Sequence, residues 1–63
     1  MEYENGAWEA LAEYEDGTSV SRLFEYNDRK SENRQQHEIE EWLLNRHPGC
    51  VWYSVNYLFP DEI

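Results

Sequence analysis

An α+β fold of ββαβ order is what this 63-residue chain predicts: a three-stranded, mainly antiparallel sheet with one helix packed on one face. Three observations carry that expectation. Residues 7–14 (AWEALAEY) and 18–26 (TSVSRLFEY) alternate on either side of Glu15-Asp16-Gly17, and Asp-Gly between two alternating runs marks a hairpin. Residues 31–46 (SENRQQHEIEEWLLNR) have helical composition. Residues 50–58 (CVWYSVNYL) are rich in β-branched and aromatic side chains, the make-up of a strand.

The turn decides the hairpin register. A two-residue Asp16-Gly17 loop would set Trp8 opposite Glu25 and Glu13 opposite Val20. A three-residue Glu15-Asp16-Gly17 loop, with Gly17 left-handed as a bulge, sets Trp8 opposite Phe24 and Ala12 opposite Val20. The second choice gathers Trp8, Ala10, Ala12, Tyr14, Val20, Phe24 and Tyr26 on one face. A slip of one residue turns every side chain over, so this is the expected register. Arg22 is the one intrusion on that face.

The helix takes Ser31 or Asp28 as N-cap. Ile39, Trp42, Leu43 and Arg46 share a stripe that Glu32, Gln35 and Gln36 extend upstream. His47-Pro48-Gly49 ends it, because proline disfavours helix at the residue before it and Gly49 permits a sharp turn. In the third strand Val51, Tyr53, Val55 and Tyr57 share one face; Cys50, Trp52, Ser54, Asn56 and Leu58 share the other. The whole chain, 1–63, reads as one domain: hairpin 7–26, helix about 31–46, third strand about 50–58. A helix between strands two and three lets the third return beside the first, giving spatial order 2-1-3. Order 1-2-3 with a right-handed crossover is the alternative. One helix covers one side of the sheet, so the other side stays open, carrying Leu11, Leu23 and Trp52 among Glu9, Glu13, Ser19, Ser21 and Glu25.

Charge narrows the function. Fourteen acidic residues face five basic ones, a net charge of -9, and the first 21 residues hold six carboxylates and no lysine or arginine. Aromatic residues make up 16% of the chain, which a disordered acidic tail would lack. Excess charge of one sign repels itself in the compact state, so its use is expected outside stability, on a basic partner. Direct binding of nucleic acid or anionic membranes is disfavoured, and no apolar run approaches the roughly 18 residues of a membrane span. The acidic start Met1-Glu2-Tyr3-Glu4 lacks a signal peptide's basic region. With a lone Cys50 and no Asn-x-Ser/Thr sequon, the chain is expected in the cytoplasm.

A domain this short buries only about 60% of its unfolded surface and usually draws on a staple. One cysteine forms no internal disulfide, and no Cys/His cluster suits zinc, so homodimerisation is the expected staple. Catalysis has little support. The three glycines all lie in turns, so no phosphate-cradling loop exists. His37 and Glu41 have the i, i+4 spacing of a metal pair but lack further ligands. His47 suits a helix C-terminus, and Cys50 reads as a small buried hydrophobe. No enzyme activity, metal or cofactor is expected. Arg29, Lys30 and Arg34, mildly unfavourable at a helix start, are expected to serve a contact, pairing with acids of a second subunit.

The acidic hairpin carries the functional expectation. Glu9, Glu13, Glu15, Asp16 and Glu25 project from one face and its turn. Alternate residues of a strand lie about 6.5–7 Å apart, close to the spacing of successive phosphates on a nucleic acid strand. The plain alternative is a solvated face that keeps a small protein soluble. Leu11 and Leu23 on the same face suit a dimer seam or an apolar contact with a partner.

The turn Tyr14-Glu15-Asp16-Gly17, the second strand Phe24-Glu25-Tyr26 and the order of elements give a layout that resembles the small acidic phage-encoded inhibitors of uracil-DNA glycosylase. That resemblance implies a dimer that mimics DNA, with carboxylates replacing phosphates and an apolar recess taking a hydrophobic side chain of the enzyme. CRISPR and restriction inhibitors of phages are similar in size and charge. The expected function is therefore non-enzymatic inhibition of a host nucleic-acid-handling protein. A small structural or regulatory interaction domain without mimicry is the alternative.

Overall fold

The computed structural model describes residues 3–63; Met1 and Glu2 of the acidic start lie outside the described residues. Strands β1 (Ala7–Glu13) and β2 (Ser19–Glu25) form the hairpin, followed by helix α1 (Glu32–Arg46), strand β3 (Trp52–Leu58) and a 3-10 turn over Pro60–Glu62. The sheet order is β2-β1-β3 with both pairings antiparallel. This is the ββαβ, α+β arrangement that the sequence predicts, in the first of its two strand orders. Among the described residues no helix is long and apolar enough to cross a membrane.

The turn closes as a three-residue loop. Tyr14 N–H donates to Thr18 O at 2.8 Å, Gly17 N–H donates to Tyr14 O at 3.0 Å, and Gly17 takes φ 91°. Trp8 consequently stands opposite Phe24, and Ala12 opposite Val20. Across the other edge of β1, Trp8 faces Tyr57 and Ala10 faces Val55.

The helix lies on the face that carries Trp8, Ala10 and Ala12. These residues form the core with Ile39, Leu43 and Val55, and Leu43 is only 1% exposed. The two alanines have no bulk to hold the helix off the sheet, so larger side chains ring them. Trp8 meets Tyr57 edge-on at 5.6 Å and stacks on Tyr26 at 6.3 Å, and Phe24 meets Trp42 edge-on at 4.9 Å, geometries that add to plain area burial.

Polar bonds fasten both ends of the helix to the hairpin. Gln35 is buried, and its Oε1 accepts from Trp8 Nε1 at 3.0 Å and from Asn27 N at 2.8 Å, while its Nε2 donates to Lys30 O at 2.8 Å. At the other end Tyr14 Oη and His47 Nδ1 share a hydrogen bond of 2.6 Å. Ser31 is the N-cap, accepting from Arg34 N, and His47 is the C-cap.

Several expectations need correction. Of the upstream stripe Glu32, Gln35 and Gln36, only Gln35 is buried; Gln36 is half-buried and Glu32 exposed. Strand β3 begins at Trp52, because Cys50 and Val51 still belong to the bend after the helix. Cys50 is half-buried, and Val51, Val20 and Tyr53 are exposed. Fifteen helical residues do not reach over that end of the sheet. Arg22 is no blemish: its guanidinium lies 5.1 Å from the Phe24 ring and 5.2 Å from the Trp42 ring, a favourable cation–π geometry.

Replacing Gln35 by leucine strips a buried indole N–H of its acceptor. The change is expected to cost about 1–3 kcal/mol, read as a lower urea midpoint at unchanged slope. The two left-handed glycines should separate. A Cβ at Gly17 meets nothing within 4 Å, so Gly17→Ala is expected to cost only the backbone term of about 1–2 kcal/mol. At Gly6, φ also 91°, a Cβ would lie 2.6 Å from Leu58 O and against the Tyr57 hydroxyl. The thermal midpoint of Gly6→Ala should therefore fall further.

Candidate functional site

The face of the sheet turned away from α1 is built by the same alternation. Along β1 it shows Glu9, Leu11 and Glu13. Glu9 is flanked by Leu23 on β2 and Asn56 on β3, Leu11 by Ser21 and Ser54, and Glu13 by Ser19 and Trp52. Glu25 extends the row on β2, opposite Ala7. Glu13 and Glu25 are exposed and Glu9 is half-buried. Each acid of β1 therefore stands beside an apolar neighbour on an adjoining strand. Leu23 is 36% exposed and Trp52 50% exposed, while Leu11 is half-buried between two serines.

The pitch along one strand differs from the expected phosphate-like spacing. Glu9 and Glu13 are four residues apart, about 13 Å, because Leu11 occupies the position between them. A shorter spacing of about 7–8 Å arises instead on the diagonal between Glu9 and Glu25. The acids form a two-strand constellation around Leu11 and Leu23, not a single file.

Glu15 and Asp16 sit in the exposed turn just beyond Glu13. They differ in role. Asp16 Oδ1 accepts from Thr18 Oγ1 at 2.7 Å and from Thr18 N at 3.0 Å, so its carboxylate also holds the turn. The Thr18 hydroxyl bond is the main reason its carboxyl titrates below the usual aspartate value, and the group stays charged.

The electrostatics of the two sides are unlike. Lys30 pairs with Glu38 at 2.7 Å and Arg34 with the same carboxylate at 3.4 Å, while His37 stands 3.1 Å from Glu41. Lys30 holds the Glu38 carboxyl below its ordinary value, chiefly by that hydrogen bond. Two of the three helix-start cations expected to serve a second subunit are thus matched within the molecule. None of Glu9, Glu13, Glu15, Asp16 or Glu25 takes part in an ion pair among the described residues. Among those residues no group of three or more His, Cys, Asp or Glu is placed to hold a metal ion.

Glu9, Glu13, Glu25, Leu11 and Leu23 are brought together on this face, with Glu15 and Asp16 at its end. Trp52 and Asn56 complete it. Their alternation within strand three marks them as open-face residues, but their places beside Glu13 and Glu9 follow from the β1–β3 register, which no turn encodes. Compared with known protein families, curated proteins and solved structures, the chain matches none of them.

Carboxylates that do nothing for the fold can be neutralised without harm. Glu9→Gln, Glu13→Gln and Glu25→Gln, alone or together, are expected to leave the thermal midpoint unchanged or to raise it, more so at low salt, as self-repulsion falls. A loss of more than about 1 kcal/mol for any of them would mark that acid as structural.

Proposed function

We propose that this protein is a stoichiometric, non-enzymatic inhibitor that seats its open sheet face in the basic groove of a nucleic-acid-handling protein. The supporting observation is the set of hairpin carboxylates, free of internal ion pairs among the described residues and held by one register around exposed apolar side chains. In this reading Glu9, Glu13, Glu15, Asp16 and Glu25 take the places of phosphates, setting the on-rate and the choice of partner. Leu11, Leu23 and Trp52 supply the apolar anchors, where most of the binding energy resides. Uracil-DNA glycosylases, CRISPR effectors and restriction enzymes of a host cytoplasm offer such grooves, and a phage or mobile element is the natural source of such an inhibitor.

The geometry bears on the expected homodimer. A two-fold seam through Leu11 and Leu23 would bring Glu9, Glu13 and Glu25 of both copies together, like charges that oppose association. This reading gives the open face to the heterologous partner and places any homodimer seam outside it. The exposed Trp52 and Leu23 also suit a plain interaction domain without mimicry, and salt separates the two.

Binding to a target enzyme, measured by calorimetry or surface capture, is expected to weaken at least about tenfold between about 50 and about 300 mM salt. A variant carrying Glu9→Gln, Glu13→Gln and Glu15→Gln should keep the wild-type circular dichroism and lose inhibition. Asp16 is spared because its carboxylate holds the turn. Unaltered inhibition by the triple variant would rule out mimicry, whereas salt-independent binding through Leu23 and Trp52 would identify the interaction domain.

A further inference from the structure

The helix side of the sheet carries a second feature, independent of the acidic face. Arg22 of β2 and Arg46 of the last turn of α1 converge on one indole: their guanidinium carbons lie 5.2 and 5.9 Å from the Trp42 ring. Neither arginine is in an ion pair among the described residues, although the chain has 14 carboxylates. Between them opens a cleft of about 260 Å³, with Val20 and Ser21 on its rim, Leu43 and Ala10 lining its inner side and His47 beside Arg46. Ala10 is the residue of β1 directly opposite Arg22, and its short side chain leaves the space. Tyr14 occupies His47 Nδ1 at 2.6 Å, so Nε2 is the ring nitrogen left for another partner.

Two guanidiniums beside one ring concentrate positive charge at the mouth of the cleft, which an anion would offset. Arg46 is partly offset by the negative end of its own helix and Arg22 by the faces of Phe24 and Trp42, but neither has a carboxylate partner among the described residues. Guanidinium forks match planar oxyanions in paired hydrogen bonds. The apolar floor formed by Leu43 and Ala10, with Val20 at its rim, suits a hydrocarbon body attached to the anion. The volume lies below the roughly 300–1,000 Å³ of sites for drug-sized ligands, too small for a nucleotide. We propose that this cleft is a binding site for a small organic carboxylate, its oxyanion held by Arg22 and Arg46 and its apolar body resting against Trp42 and Leu43.

Sodium benzoate is the probe, with inorganic phosphate and the cationic benzamidine as comparison arms at constant ionic strength. The readout is the nitrogen-15 resonances of the Trp42 indole and of the Arg22 and Arg46 Nε–H groups, with Trp8 and Trp52 as internal references. Benzoate is expected to shift the Trp42 and arginine signals saturably, to leave Trp52 in place, and to bind more tightly than phosphate, while benzamidine does neither. Arg46→Gln, on an exposed helix end, should keep the fold and weaken benzoate at least about tenfold, and Arg22→Gln should do the same. Linear shifts shared by benzoate and benzamidine, or wild-type affinity in both variants, would overturn the site. Saturable phosphate binding without benzoate binding would overturn the assignment of an apolar ligand body.

Discussion

Everything in this molecule depends on the register of one hairpin. Gly17 in the left-handed region adds a residue to the turn, and that residue decides which side chains of β1 and β2 lie under the helix. With the bulge in place, Trp8, Ala10 and Ala12 go inward and Glu9 and Glu13 go outward. The slipped pairing would set Trp8 against Glu25 and break up both faces at once. Core and acidic surface are therefore two consequences of a single backbone choice. Asp16 reinforces it by bonding Thr18 through both backbone and hydroxyl.

The helix contributes little apolar area, with Ile39 and Leu43 its two buried hydrophobic residues. What holds it in one position is polar. Gln35 joins the indole of Trp8, the amide of Asn27 and the carbonyl of Lys30, and His47 meets Tyr14 at the far end of β1. A buried amide with its partners all present imposes a position that a greasy contact would leave free to slide. In a small core this specificity matters as much as stability. The alanines of β1 complete the arrangement by letting the helix approach.

Charges are partnered differently on the two faces. Lys30 and Arg34 are matched to Glu38 along the helix, Arg22 and Arg46 are drawn to Trp42, and the hairpin acids of the open face are left without cations. The open sheet face carries Glu9, Glu13 and Glu25 without a cation partner among the described residues, and a small cleft on the helix side is lined by Arg22 and Arg46.

How much could be read without coordinates follows from which interactions are local. Alternation over 7–14 and 18–26 and the Glu15-Asp16-Gly17 signal determined the hairpin, its register and the outward placing of Glu9, Glu13, Glu25, Leu11 and Leu23, since neighbouring residues supply all of that information. The Ser31 or Asp28 cap signal and the His47-Pro48-Gly49 stop likewise bounded the helix, and the structure takes Ser31. Tertiary structure alone decided the rest. Trp52 came beside Glu13 and Asn56 beside Glu9 because β3 pairs with β1 across a long connection whose register no turn encodes. Gln35 became a buried hub, Arg22 a cation over two rings, and Val51 and Tyr53 solvent-exposed, because each outcome depends on where one short helix lies across three strands. Periodicity tells which way a side chain points, but only the packed arrangement determines what it meets there.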